Sequence, residues 1–125
     1  MINAVHALMY ADDPDLARTF FRNVLGWPYV DAHGGWLIFK TGPSELGVHP
    51  ISGATGVEGG TSPPHHEISF MCHDIDATRA ELEAKGAVFS TGIEDASFGR
   101  TMRMVVPGAG EVFVYEPRHP LAHSL

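Results

Sequence analysis

The feature that most constrains how this chain folds is a repeat between its two halves. From His6 the chain reads HALMYADD, and from Glu67 it reads EISFMCHD, so both stretches run from a mostly apolar segment to an aspartate. The two closing residues, Asp13 and Asp74, lie 61 positions apart, which is close to half of the 125 residues. A repeat of this length indicates duplication of one structural module. It predicts two like modules in a pseudo-twofold arrangement, with equivalent strands side by side around a shared groove.

The first half predicts the element order β-α-β-β-β. Residues 4–11, AVHALMYA, form a mostly apolar segment that predicts a strand. Asp13 and Pro14 then supply an N-cap and a first helical position. Apolar residues spaced four apart continue the helix until Gly26, which is placed to end it. Three short runs separated by turn residues predict strands: PYVDA, WLIFKT and ELGVH.

The second half predicts the same order after a linker. Residues 51–64 contain four glycines and two prolines without periodicity, and this composition predicts a linker or a mobile loop. EISFMC then predicts a strand, Asp74 an N-cap, and ATRAELEAK a helix that ends at Gly86. Strands are predicted for AVFSTG, TMRMVV and EVFVYE. Module one therefore spans about 1–50, and module two about 65–118.

Composition limits the class of partner and the compartment. With 44% apolar residues the chain can fill one core, which predicts a single domain over residues 1–125. The formal charge of -7 and the lack of a Lys/Arg run argue against nucleic acid as a partner. No apolar run approaches the roughly 20 residues that span a bilayer, and no leader pattern is seen, so we expect a cytoplasmic protein without a membrane partner. The single Cys72 is interpreted as a small buried hydrophobe.

The two openings of the repeat carry a resemblance to a known family. VHALMYADDPDLARTFFRNVLGW and HEISFMCHDIDATRAELEAKGAVF resemble the vicinal oxygen chelate superfamily, which groups glyoxalase, bleomycin-resistance proteins and extradiol dioxygenases. The resemblance covers nearly the whole chain. It implies an α+β fold in which two tandem βαβββ modules pair into a curved, eight-stranded, half-open barrel around a groove. Because many single-domain members are dimers, it also implies a homodimer.

The resemblance also implies a metal site and a set of ligands. Most enzymes of the superfamily hold a divalent metal that is open on one side to the oxygens of the substrate. The first ligand position matches His6, and the equivalent position of the second module is Glu67. The third falls on Val114, but Glu116 lies two residues further along the same side of the strand, and His49 has the most similar place in module one.

These four side chains define the predicted site. His6, His49, Glu67 and Glu116 would give a nitrogen and oxygen donor set suited to Fe, Mn, Zn, Ni or Co, with the metal acting as a Lewis acid. Glu67 is alternatively the catalytic general base. A structural interpretation of the same residues stays open, since a histidine on a strand often donates to a backbone carbonyl and residues before a proline often close a loop.

Strand alternation predicts which residues line the groove. If His6 faces inward, Leu8 and Tyr10 share its face, and Ser69 and Met71 share the face of Glu67. Arg103, near the start of a strand in module two, could pair with an anionic substrate. The predicted substrate-binding residues are Leu8, Tyr10, Trp36, Ser69, Met71, Phe98, Arg103, Val114 and Tyr115.

Two functions follow from these predictions, and both involve a small organic molecule. One is a metal-dependent enzyme of the lyase, isomerase or dioxygenase type, whose substrate is chelated through its oxygens. The other is a metal-free protein that binds or sequesters a small molecule such as a drug. A purely structural module is the third interpretation. The shape of the last strand distinguishes the metal-dependent enzyme from the metal-free binding protein, because a bulge there would let Glu116 reach the position of the metal.

Overall fold

In the computed structural model, the described residues are 6–45, 47 and 67–125. They form two α-helices, six strands and a short 3-10 helix. The elements are α1 (Pro14–Asn23), β1 (Tyr29–Asp31), β2 (Leu37–Phe39), β3 (Ser69–Met71), α2 (Ile75–Ala84), β4 (Glu94–Ala96), β5 (Gly99–Val106), β6 (Gly110–Pro117) and the 3-10 helix (Ala122–Ser124). No helix in these ranges is long and apolar enough to cross a membrane.

Both helices begin where the sequence predicts. The carboxylate of Asp13 accepts a hydrogen bond from the backbone N–H of Leu16 at 3.1 Å, which satisfies one of the free donors at the start of α1. Asp74 does the same for the N–H of Ala77 at the start of α2, also at 3.1 Å. The two N-caps of the repeat are therefore confirmed.

The second half forms a four-stranded sheet with the order β3-β6-β5-β4. β3 runs parallel to β6, and the other neighbours are antiparallel. The predicted strand AVFSTG is wrong in position, because that segment contributes only a bridge between Phe89 and Met104, and the strand lies at Glu94–Ala96 instead. This second module otherwise has the predicted β-α-β-β-β order.

The first half departs further from prediction. β1 and β2 form an antiparallel hairpin, but the segment 6–11 is not a strand. Its alternation is nevertheless visible, since Met9 and Ala11 pack against the core while His6 and Tyr10 are exposed. Alternation of apolar residues thus indicates only that one side of a segment is buried, whereas a strand also needs a hydrogen-bonded neighbour.

The remaining predictions for the first half can be placed only in part. Glu45 and Gly47 of the predicted strand ELGVH lie outside any strand, and the rest of that run and the linker 51–64 lie outside the described residues. Within the described ranges the fold is a mixed α+β arrangement of two helices and two sheets, with no closed barrel.

The core lies on one face of the four-stranded sheet, and both helices pack there. Ala17 and Phe20 of α1 and Ile75 of α2 contact apolar side chains of the two long strands. The strand residues in this cluster are Met102, Met104, Val106, Val112 and Val114. Because side chains alternate along a strand, the odd-numbered residues of β5 and β6 project from the opposite face, which the helices do not cover.

Candidate functional site

The face of the sheet that turns away from the helices carries two rows of side chains, which we call the open face. Strand pairing sets the rows as Ser69, Phe113 and Arg103 in one, and Met71, Tyr115 and Thr101 in the other. Neighbouring strands lie about 4.8 Å apart and alternate residues of one strand about 7 Å apart, so the six positions span roughly 10 by 7 Å. This is the footprint of a small fused-ring molecule. Thr101 is itself buried, at 7% exposure.

Aromatic rings and one guanidinium define the chemistry of the open face. The Cζ atom of Arg103 lies 4.1 Å from the ring centroid of Phe113, a cation–π contact. Phe98 meets Tyr115 edge to face at 5.7 Å between ring centroids. The backbone N–H of Arg103 donates to the Thr91 hydroxyl at 2.9 Å, which holds this part of β5 in place.

Tyr115 links the open face to the end of the chain. Its hydroxyl lies 3.2 Å from Nε2 of His119, whose Nδ1 lies 2.8 Å from the carbonyl oxygen of Pro120. A carbonyl can only accept, so in the neutral imidazole Nδ1 carries the hydrogen and the tyrosine hydroxyl donates to Nε2. Burial, and then the charge of Glu45, raise the pKa of the Tyr115 hydroxyl.

Sequence reasoning missed the contribution of His119 and Glu45. Oε1 of Glu45 lies 3.8 Å from Nε2 of His119. The spacing of four residues between Tyr115 and His119 was visible in the sequence, but it follows the end of a strand, where no fixed periodicity relates the two side chains. Glu45 reaches them only through tertiary structure.

The structure separates the carboxylates of the predicted metal site. Oε1 of Glu116 accepts a hydrogen bond from the backbone N–H of Ile75 at 3.1 Å, on the helix side of the sheet. Glu67 instead accepts from the hydroxyl of Ser69 at 3.4 Å, on the side of the open face. β5 and β6 pair residue by residue from Gly99 opposite Pro117 onward, without the bulge that would turn Glu116 around.

Val114 needs the same correction as Glu116. It is 3% exposed and belongs to the core beneath the helices, so it cannot contact a ligand on the open face. The two residues share one side of β6, as alternation predicts, but that side faces the helices.

The described donor residues do not fit a metal centre. No group of three His, Cys, Asp or Glu side chains in the described ranges lies close enough together to hold an ion. His6 is exposed, and His49 lies outside the described residues. Among the predicted donors that the structure describes, Glu116 is instead engaged by the N–H of Ile75 at the start of α2.

The other predicted groove residues lie in three places. Ser69, Met71, Arg103 and Tyr115 lie together on the open face, with Phe98 at its margin through its contact with Tyr115. Leu8 and Tyr10 are exposed at 57% and 91%. Trp36 lies in the β1–β2 hairpin, where the Cζ atom of Arg18 is 5.1 Å from its ring centroid.

A concavity lies on the hairpin. It has a volume of about 280 Å³ and is lined by Pro28, Tyr29, Val30, Ile38 and Lys40. Val30 and Ile38 are directly opposed across the hairpin, so they project from one face of it. This cavity is mostly apolar, with one cationic group among its lining residues.

Three other titratable residues, Asp76, Arg100 and Cys72, belong to the helix side of the sheet. Nη1 of Arg100 donates to Asp76 at 2.7 Å, and this contact lowers the pKa of the Asp76 carboxyl. Arg100 is therefore already paired and does not face a ligand on the open face. Cys72, predicted as a small buried hydrophobe, is half-buried against the core, and this burial raises the pKa of its thiol.

Comparison with known proteins gives a family and a set of similar folds. The model of the Glyoxalase/Bleomycin resistance protein/Dioxygenase superfamily matches residues 3–119. A lactoylglutathione lyase from Agrobacterium tumefaciens is 22% identical, with 93% of this chain and 95% of that chain covered and a TM-score of 0.61. TnmS3, an antibiotic binding protein from Streptomyces sp. CB03234, is 20% identical, with 93% and 97% covered and a TM-score of 0.59. No curated protein matches the sequence. At these identities the similar structures show the fold alone.

Proposed function

Since the chain belongs to the Glyoxalase/Bleomycin resistance protein/Dioxygenase superfamily, we propose that it binds a small organic molecule on the open face, using side chains of the protein alone. The supporting observation is the pair of rows on that face, which place apolar Met71, Phe113 and Tyr115 beside the polar Ser69 and Arg103. Small-molecule sites have this character, with an apolar surface and a few convergent polar groups that fix orientation.

Binding of a neutral aromatic probe, naphthamide, tests the proposal by isothermal titration calorimetry. Met71→Gln places a polar amide at the β3 end of the open face and weakens binding on the order of fivefold, because apolar contact with the probe is lost. Ile38→Gln makes a comparable change in the hairpin cavity and leaves the affinity unchanged. Weaker binding in Ile38→Gln with unchanged binding in Met71→Gln would place the ligand in the hairpin cavity and refute the proposal.

The second candidate function is a metal-dependent enzyme of the lyase, isomerase or dioxygenase type. The observation in its favour is that His6 and Glu67, which have equivalent places in the repeat, are both exposed. Elemental analysis of protein purified without chelator tests this candidate. Near-stoichiometric Fe, Mn, Zn, Ni or Co that is lost in His6→Ala but kept in His119→Ala would favour the enzyme over the binding protein.

We also propose that the chain functions as a homodimer, and that its two tandem modules pair into the eight-stranded, half-open arrangement. The support is apolar surface near the first half, where Tyr10 is 91% and Val30 64% exposed. Burial of such side chains against a second copy would be favourable. Light scattering after size-exclusion chromatography tests this, with a dimer mass for the wild type and a shift toward monomer in Tyr10→Asp. A wild type that is monomeric at all concentrations would refute it.

A further inference from the structure

Arg103 differs from four of the five other arginines in what surrounds its side chain, and the fifth, Arg22, donates to the amide oxygen of Asn23 at 3.1 Å. Arg18, Arg79, Arg100 and Arg118 each lie near a carboxylate, at 3.1, 3.2, 2.7 and 2.6 Å. For the part of the chain that the structure describes, the guanidinium of Arg103 has no such partner. In a protein with a formal charge of -7 this leaves a positive group available on the open face.

The position of Arg103 leaves its hydrogen-bond donors accessible. Its Cζ atom lies over the Phe113 ring at 4.1 Å from the centroid, and a guanidinium that stacks on an aromatic face does so with its flat side. The N–H groups of a guanidinium point outward in its plane, and a contact on the flat side does not consume them. Contact with Phe113 restrains the side chain of Arg103, and the hydrogen bond from its backbone N–H to Thr91 restrains its backbone. Less conformational entropy is therefore lost when the guanidinium N–H groups bind a ligand.

The neighbouring side chains specify the rest of such a ligand. Phe113, Tyr115 and Met71 form a contiguous apolar surface beside Arg103, of the size of a fused-ring molecule. A single guanidinium matches a single carboxylate through two parallel hydrogen bonds. A phosphate dianion would need more positive charge, and Glu67, which contacts Ser69, adds negative charge at the end of the same row.

We propose that the ligand of the open face is a planar aromatic carboxylate, held by Arg103 through its carboxylate and by Phe113, Met71 and Tyr115 through its ring. This inference rests on the proposed function, because it names the class of molecule that the same site binds. It makes Arg103 the residue that determines specificity for a carboxylate over its neutral counterpart.

Matched probes test the inference. Naphthoate and naphthamide have the same ring system and differ in charge, and calorimetric titration compares them on wild type, Arg103→Gln, Arg103→Lys and Arg100→Gln. The wild type binds naphthoate at least tenfold more tightly than naphthamide. Arg103→Gln reduces naphthoate affinity roughly tenfold to a hundredfold, the range for a lost charged hydrogen-bond partner. It changes naphthamide affinity less than about twofold.

The other two variants separate charge from geometry. Arg103→Lys keeps the charge but loses the planar fork, so it gives an intermediate affinity for naphthoate. Arg100→Gln removes the same charge from the opposite face of β5 and leaves the preference for naphthoate intact. Thermal melts confirm that each variant is folded, and Arg103→Lys, the most conservative change, provides the test if Arg103→Gln does not fold.

Two results would overturn the inference, and they differ in what else they overturn. If wild type binds both probes equally, with binding that is sensitive to Met71→Gln but not to Arg103→Gln, the proposed function stands and the carboxylate specificity does not. If neither probe binds, or if binding is insensitive to Met71→Gln, both proposals fail.

Discussion

The carboxylate of Glu116 accepts a hydrogen bond from the N–H of Ile75, a residue with no exposed surface at the start of α2. Helix N-termini have free N–H donors, and a buried donor that loses its acceptor is costly. We predict that Glu116→Ala lowers the free energy of unfolding by about 1–3 kcal/mol. Glu116→Gln keeps an acceptor oxygen and costs less. Urea denaturation of the three proteins measures both effects.

This prediction also distinguishes the two roles that Glu116 could have. If Glu116 stabilises α2, then Glu116→Ala lowers the free energy of unfolding even in protein that a chelator has stripped of metal. If Glu116→Ala were as stable as wild type under those conditions but bound less metal, the structural role would be refuted and the ligand role supported.

Burial of Cys72 gives a second prediction at the scale of one residue. Its pKa is raised chiefly by desolvation, and a hydrogen bond with Thr78 opposes that effect. The thiolate is the reactive form, so we predict that the rate of reaction with Ellman's reagent rises with pH around a midpoint above that of a free thiol. Thr78→Val removes the opposing hydrogen bond and moves the midpoint higher still. A midpoint equal to that of urea-unfolded protein would contradict this prediction.

At the scale of elements, the turn between β5 and β6 contacts the start of α1. The N–H of Asp13 donates to the carbonyl oxygen of Gly108 at 3.0 Å. A Cβ atom at Gly108 would lie 2.6 Å from the backbone oxygen of Asp13, closer than such atoms approach. The turn and the helix therefore meet only because residue 108 has no side chain.

Gly110 supplies a matched control for this contact. Gly108 and Gly110 have φ values of +79° and +80°, but a Cβ at Gly110 would meet nothing within 4 Å. Both Gly→Ala substitutions carry the backbone penalty of about 1 kcal/mol for a positive φ, and we predict that Gly108→Ala destabilises further by about 1–3 kcal/mol through the clash. Equal losses of stability in urea denaturation would show that the contact is not needed.

The elements that the sequence predicts well are those set by local chemistry. An aspartate followed by an apolar stripe specifies a helix start within a few residues, so both N-caps could be predicted. Strand pairing depends on distant neighbours. The segment 6–11 therefore has the alternation of a strand without a strand's hydrogen bonds, and β4 lies beyond the run that predicted it.

At the scale of the whole molecule, the candidate site was only partly predictable, for a geometric reason. Alternation shows which residues share a side of a strand, and it places Glu116 with Val114. It does not show which side the helices cover, because that depends on the register of the sheet and on packing from both halves. The sequence therefore assigned Val114 to the ligand, and the structure assigns Val114 to the core and leaves the ligand face to Tyr115.

The end of the chain is tied to the first half through one carboxylate. Oε2 of Glu45 accepts hydrogen bonds from the backbone N–H groups of Ala122 and His123 at 3.0 and 3.2 Å. Oε1 of the same residue lies 3.8 Å from His119, which contacts Tyr115 on the open face. Glu45 therefore holds the C-terminal segment beside the proposed binding surface.

We predict that Glu45→Ala releases the C-terminal segment while the four-stranded sheet stays folded. The amides of Ala122 and His123 lose a charged acceptor, so their hydrogen exchange accelerates on the order of tenfold or more. The pKa of the Tyr115 hydroxyl falls, because the charge of Glu45 contributes to raising it. Glu81→Ala, which removes an equal charge from a surface pair with Lys85 at 3.6 Å, leaves both quantities unchanged. Unchanged exchange at Ala122 and His123 in Glu45→Ala would show that packing of other residues, rather than this carboxylate, holds the segment.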